Sequence, residues 1–193
     1  MKSVLSQPLA FVDIETTGGS HVTSRVLELG VVRVERSQVV ARYQTLLHPD
    51  GVVPPFITGL TGITDADVAS SPRFAQVAGE LTEILNGAVF VAHNVRFDYS
   101  FLKMEFERLG VPFRPPLLCT VKLSRRLFPQ FRTHKLGDLI ARHGLRAPAR
   151  HRAYDDADCL WQFYQLCLAE FDLDTVEAAV RMQLGAFMVE SQI

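Results

Sequence analysis

Three strand-patterned segments crowd the first fifty residues, and the later ones are all short. Residues 9–14, 26–34 and 39–47 are rich in Val, Leu and Ile, which suits half-buried pleated strands. Only Glu35-Arg36-Ser37-Gln38 separates the second from the third, so these two form an antiparallel hairpin. Beyond residue 72 the pattern changes. Pro72 opens a helix to about residue 85, Asn86-Gly87 ends it, and Val89-Phe90-Val91 reads as a short buried strand. Asn94 is placed to cap a helix running to Leu109, with Gly110 as its stop. Further helices are expected at 120–127, 135–143, 153–171 and 175–187. Strands first, then helices alternating with short buried strands, predicts an α/β fold around a sheet of mixed direction. The Pro- and Gly-rich segment 49–72 is expected to be a long functional loop interrupted by a short helical turn.

With 193 residues, the chain suits one domain with a filled core. It is read as a single unit over 1–193, with a core at about 8–170 and a C-terminal helix at about 174–188. Hydrophobic residues at 48% and charged residues at 21% exclude disordered, collagen-like and coiled-coil classes. The apolar run 88–92 is far too short to cross a membrane and no leader pattern is visible, so a soluble, cytoplasmic protein is expected. Cys119, Cys159 and Cys167 form no CxxC pair and are expected to be small buried hydrophobes.

Net charge is −1, but it is unevenly spread. Residues 122–152 hold nine Lys and Arg against the single acid Asp138, giving +8 and leaving −9 for the rest. Such a division suits a protein that holds a phosphate backbone while gathering carboxylates around cations. A solvated surface run is the plain alternative.

The most informative residues are acids in core positions. Asp13 and Glu15, two apart on the first strand, leave the same face beside Phe11. Two buried like charges require raised pKa values or a cation, although acids also occur where a strand simply ends. Asp98 interrupts the apolar helical stripe Val95, Leu102, Phe106, Leu109; as a first-turn acid it also suits the helix dipole. Asp156 heads the stripe Leu160, Phe163, Cys167. Its neighbour Asp155 heads the polar stripe Asp158, Gln162, Gln165 and is assigned to solvent.

Four inward carboxylates from three segments select hard cations such as Mg²⁺ or Mn²⁺, and their charge balances two divalent ions. Two-metal sites serve displacement at a phosphodiester. His151, five residues before Asp156, is positioned to take a proton from an attacking water. His21, His48, His134 and His143 are read as surface residues.

The motifs Phe11-Val-Asp-Ile-Glu-Thr-Thr-Gly18, His93-Asn-Val-Arg-Phe-Asp-Tyr-Ser-Phe-Leu102 and His151-Arg-Ala-Tyr-Asp-Asp156 resemble the three exonuclease motifs of the DnaQ-like 3′-5′ exonucleases, in the DEDDh branch. The epsilon subunits of bacterial DNA polymerase III are especially similar. The resemblance spans about residues 9–168. It implies a ribonuclease H-like fold, with a mixed five-stranded sheet flanked by helices, and release of nucleoside 5′-monophosphates from a 3′ end. It implies two divalent cations, Mg²⁺ or Mn²⁺, held by Asp13, Glu15, Asp98 and Asp156, with His151 as general base. It places Thr16, Thr17, Phe97, Asn94 and Ile63 against the terminal nucleotide, although Phe97 also suits plain core. Where many members carry His-Gly-Ile, this chain has Thr61-Gly62-Ile63, which leaves that histidine's contact without a bearer.

The expected partner is a single-stranded 3′ end, DNA before RNA, with a polymerase or a fused nuclease or helicase module also implied and no membrane. RNA or oligonucleotide trimming and a non-catalytic polymerase-associated module are the alternatives. Gln183-Leu-Gly-Ala-Phe187 loosely resembles a clamp-binding peptide.

Overall fold

The computed structural model describes residues 4–190, with side chains to residue 184. A 3₁₀ turn at Val4–Ser6 leads into β1 (Leu9–Thr16), β2 (Val26–Glu35) and β3 (Gln38–Leu46). The hairpin between β2 and β3 turns through Arg36 and Ser37, both at positive φ (50° and 62°), as the right-handed twist of the strands requires of a two-residue turn. β4 (Val89–Ala92) and β5 (Leu117–Cys119) complete a five-stranded sheet ordered β3-β2-β1-β4-β5. β1, β2 and β3 pair antiparallel, whereas β4 joins β1, and β5 joins β4, in parallel. The mixed direction expected from the sequence is therefore present. β5, only three residues long, carries no periodicity that sequence reading can detect.

The helices are α1 (Pro55–Thr61), α2 (Asp65–Val68), α3 (Phe74–Leu85), α4 (Arg96–Arg108), α5 (Thr120–Leu127), α6 (Leu136–His143), α7 (Ala153–Glu170) and α8 (Leu173–Glu190). Two expectations need correction. Segment 49–72 is not a loop with one turn but holds α1 and α2, which with Leu27 and Val53 bury a small core of Ile57, Ile63 and Val68. Asn94 does not cap α4; it sits at φ 63° in the turn before it, and Val95 occupies the cap.

Each face of the sheet has its own core. Leu9, Phe11, Val32, Val34, Val89 and Val91 face α5, α7 and α8. Ala10, Val12, Leu29, Val31 and Phe90 face α3 and α4. On the first face β1 and β2 present four paired rows: Leu9 with Val34, Phe11 with Val32, Asp13 with Gly30, and Glu15 with Glu28. Two apolar rows give way to acidic ones at the C-terminal end of β1. The body of α7 covers the apolar rows, with Trp161 and Tyr164 ring centroids 5.4 and 5.7 Å from Phe11. Each such fully buried side chain contributes about 1.5–3 kcal/mol. The first turn of α7 lies against Gly30, where a Cβ would meet the Ala153 carbonyl carbon at 2.2 Å. Only a residue without a side chain admits the helix backbone this close.

Along α8, Gln183 covers the exposed edge of β5: its side-chain amide accepts from the Cys119 N–H and donates to the Cys119 carbonyl. The first residue of the clamp-like peptide is thereby committed to the fold, and the side chains from 185 onward lie outside the described residues. All three cysteines are free and buried, as expected.

Candidate active site

The acidic rows meet two helix starts. Because β4 runs parallel to β1, its C-terminal end leads through His93-Asn94-Val95 into α4, whose first turn carries Asp98. α7 begins over Gly30 and carries Asp156 in its first turn. Asp98 and Asp156 are each only 3% exposed, so helical periodicity identified both inward acids. Leu109, placed on the same stripe as Asp98, is exposed instead. Asp155 is half-buried rather than solvated, and it accepts from the Ala149 N–H.

Crowding of like charge sets the electrostatics. Asp13 is pushed well above its ordinary pKa, first by burial and then by the charges of Asp98, Asp156 and Glu15. Burial raises Glu15 to about 7, with Asp156 and Glu28 adding to the effect. Asp98 rises to about 8 through burial, against hydrogen bonds from its own backbone and that of Ile14. Asp156 is also raised by burial, opposed first by Arg150; the Arg150 Nη1 donates to its Oδ1 at 2.7 Å. Part of the basic stretch therefore answers the site's own acids, as Arg152 also does with Glu28.

Ligand atoms of Glu15, His151 and Asp156 lie within 4.8 Å of one another. The two carboxylates at this spacing, with Asp13 and Asp98 close enough to interact electrostatically with them, form a donor set that fits a divalent cation, and the imidazole stands beside them. A cation would relieve the same repulsion that raises these pKa values, which strengthens the fit. His151 itself stands at φ 57° in the loop before α7.

The nucleotide-contact candidates divide. Phe97 is 36% exposed and rests on Phe101 at 4.9 Å, so it is a partly open ring rather than plain core. The Thr16 hydroxyl donates to the Gly18 carbonyl. The Thr17 hydroxyl accepts from the Arg25 N–H, and the Thr17 N–H donates to the Arg25 carbonyl; its own O–H proton is left to donate. The Ile63 side chain is buried in the small core. The Thr61 hydroxyl donates to the Ile57 carbonyl and accepts from the Ile63 N–H, so it stabilises α1 and its cap rather than replacing a histidine.

Sequence reading also missed two histidines. His134 is buried, with ring nitrogens against Ser124 and the Phe131 carbonyl. His93 follows β4 directly; its Nδ1 lies 2.9 Å from the Thr120 hydroxyl, and burial lowers its pKa to about 4. A histidine in the turn before Asp98 was the available signal.

The model of the RNase T family, described as Exonuclease, matches residues 10–164. The 3′-5′ exonuclease DinG of Staphylococcus saprophyticus is 31% identical over 172 residues, which cover 87% of this chain and 19% of that protein. The PolC-type DNA polymerase III of Caldanaerobacter subterraneus is 36% identical over 145 residues, covering 75% of this chain and 10% of that protein. The chain thus spans less than a fifth of either relative. Escherichia coli exonuclease I in complex with a dA16 oligonucleotide shares the fold, with a TM-score of 0.83 at 16% identity over 95% of this chain and 45% of that one. The chain belongs to this exonuclease family. No helix among the described residues is long and apolar enough to cross a membrane.

Proposed function

We propose that the chain hydrolyses the 3′-terminal phosphodiester of single-stranded DNA and releases nucleoside 5′-monophosphates, in a proofreading or repair role like that of an epsilon subunit. What carries this reading is the meeting of Glu15, Asp156 and His151 at ligand distance beside the half-buried Asp13 and the buried Asp98. Asp13, Glu15, Asp98 and Asp156 would hold two divalent cations, Mg²⁺ or Mn²⁺, which would supply charge neutralisation at the phosphate and acidify the attacking water. His151 takes the water proton as the water oxygen bonds to phosphorus; the P–O3′ bond breaks, the leaving O3′ takes a proton from solvent, and the shortened strand departs with a 3′-hydroxyl. Phe97 offers a partly open ring for the terminal base, and the Thr17 O–H has a proton left to donate. The DNA preference and a polymerase partner draw on the PolC-type relative and on the dA16 complex.

The test is digestion of 5′-labelled single-stranded DNA and matching RNA with Mg²⁺, Mn²⁺ or EDTA, resolved on a sequencing gel. A metal-dependent ladder shortening from the 3′ end of DNA is expected, and faster loss of RNA would replace the substrate assignment. His151→Ala should lower kcat by about 10²–10⁴-fold with little change in KM. Full activity in that variant would remove the base assignment.

A further inference from the structure

We infer that Glu28 and Arg152 are positioning residues that hold His151 at the site; this rests on the reading of His151 as general base. Glu28 lies opposite Glu15 across β1 and β2, and none of it is exposed. Its carboxylate is saturated by protein donors: Arg152 Nη2 at 2.8 Å, Arg152 Nε at 3.1 Å, the Ala153 N–H at 3.0 Å and Gln44 Nε2 at 2.9 Å. Burial alone would raise its pKa, but the guanidinium and the amide donors bring it below the ordinary range, so it stays ionised.

A buried ion pair is weak evidence for stability, because desolvation offsets much of its attraction. What this pair fixes is geometry. It ties the residue after His151, and the first N–H of α7, to a central strand. On the other side Arg150 is tied to Asp156, whose carboxylate also accepts from the His151 backbone. Between these anchors His151 is held in the left-handed region, which a residue with a side chain leaves readily when unrestrained. Releasing Arg152 lets that backbone relax and carries the imidazole away from Glu15 and Asp156. The cations' ligands stay in place.

The experiment is a double-mutant cycle on the full chain, with 5′-labelled single-stranded DNA and Mn²⁺ and with Tm recorded for every protein. Glu28→Gln keeps the shape and removes the charge; Arg152→Gln provides a second route through a partly exposed residue that leaves the sheet intact. Each is expected to lower kcat by about 10–100-fold with KM within about threefold. In a His151→Ala background neither should change kcat by more than about twofold, because the group they position is gone. Arg152→Lys should fall between wild type and Arg152→Gln, since it keeps the charge but loses the fork. Losses of equal size with and without His151, or wild-type kcat in Arg152→Gln, would overturn the inference. Full activity in His151→Ala alone would instead sink the base assignment beneath it.

Discussion

Replacing Asp98 with asparagine should abolish hydrolysis while making the protein more stable in EDTA. Asp98 is almost fully buried, burial pushes its carboxyl to about 8, and its charge is the largest side-chain contribution raising Asp13. An amide keeps the size and an acceptor for the Ile14 N–H but brings no charge. The sign follows from linkage. Glu15 at about 7 and Asp98 at about 8 in the fold hold protons that the unfolded chain releases near pH 4. Between roughly pH 4 and 8 the folded state therefore binds more protons, and stability falls as pH rises. It is greatest below the unfolded pKa values and stops falling once the folded ones are passed. At 1.36 kcal/mol per unit, the two shifts bound the fall at roughly 9 kcal/mol, and even a third of that is about 6–12 °C in Tm for a domain of this size. Divalent cations should reverse the trend by stabilising the ionised cluster. Thermal melts from pH 5 to 8, with EDTA and with Mn²⁺, measure it. Asp98→Asn should recover several degrees in EDTA at pH 8 and lose at least about 10³-fold in rate. A flat wild-type profile in EDTA, or a variant that melts lower there, would show that the acids do not repel one another as described.

How much of this could be read in the sequence depended on whether periodicity or register carried the information. Helical periodicity separated Asp156 from Asp155 and placed Asp98 among Leu102 and Phe106, because an acid on an apolar stripe conflicts with its surroundings. The alternation of β1 put Asp13 and Glu15 on one face. Cross-strand register is invisible in a single chain, so nothing in the strand pattern singles out Glu28, although it faces Glu15 and receives α7. His134 was read as a surface residue because its hydrogen-bond partners, Ser124 and the Phe131 carbonyl, meet it only through the packing of α5. Ile63 matched a motif position by residue type, but Gly62, at φ 75°, ends α1 and turns that side chain into the small core. Asn94 carried a capping residue's chemistry, yet its tolerance of the left-handed region was what the turn used.

The largest structural effect is expected at Gly30. Its row on the sheet pairs with Asp13, and the α7 backbone rests directly on it. A methyl group at this position would stand 2.2 Å from the Ala153 carbonyl carbon and 2.3 Å from both the Ala153 oxygen and the Tyr154 nitrogen. These are backbone atoms, so no side chain can swing aside; the first turn of α7 must lift. Lifting it withdraws Asp156 from Glu15, pulls Arg152 from Glu28 and loosens Ala157 and Leu160 in the core. Overpacking of this kind typically costs about 1–3 kcal/mol, and the loss of the Glu28–Arg152 ion pair, whose carboxylate is buried, adds to it. Gly30→Ala should therefore melt at least about 5–10 °C below wild type and retain under about 1% of the rate, even at temperatures where it is folded. Gly79→Ala is the matched control. That glycine lies within α3 with nothing within 4 Å of its added Cβ, so the change should stabilise by about 0.5–1 kcal/mol and leave the rate alone. If Gly30→Ala matched wild type in Tm and rate, α7 would not rest on the sheet at this point, and the delivery of Asp156 and His151 to the acidic rows would need another support. If it lost the rate but kept its Tm, the close approach would serve the alignment of the site rather than the stability of the fold.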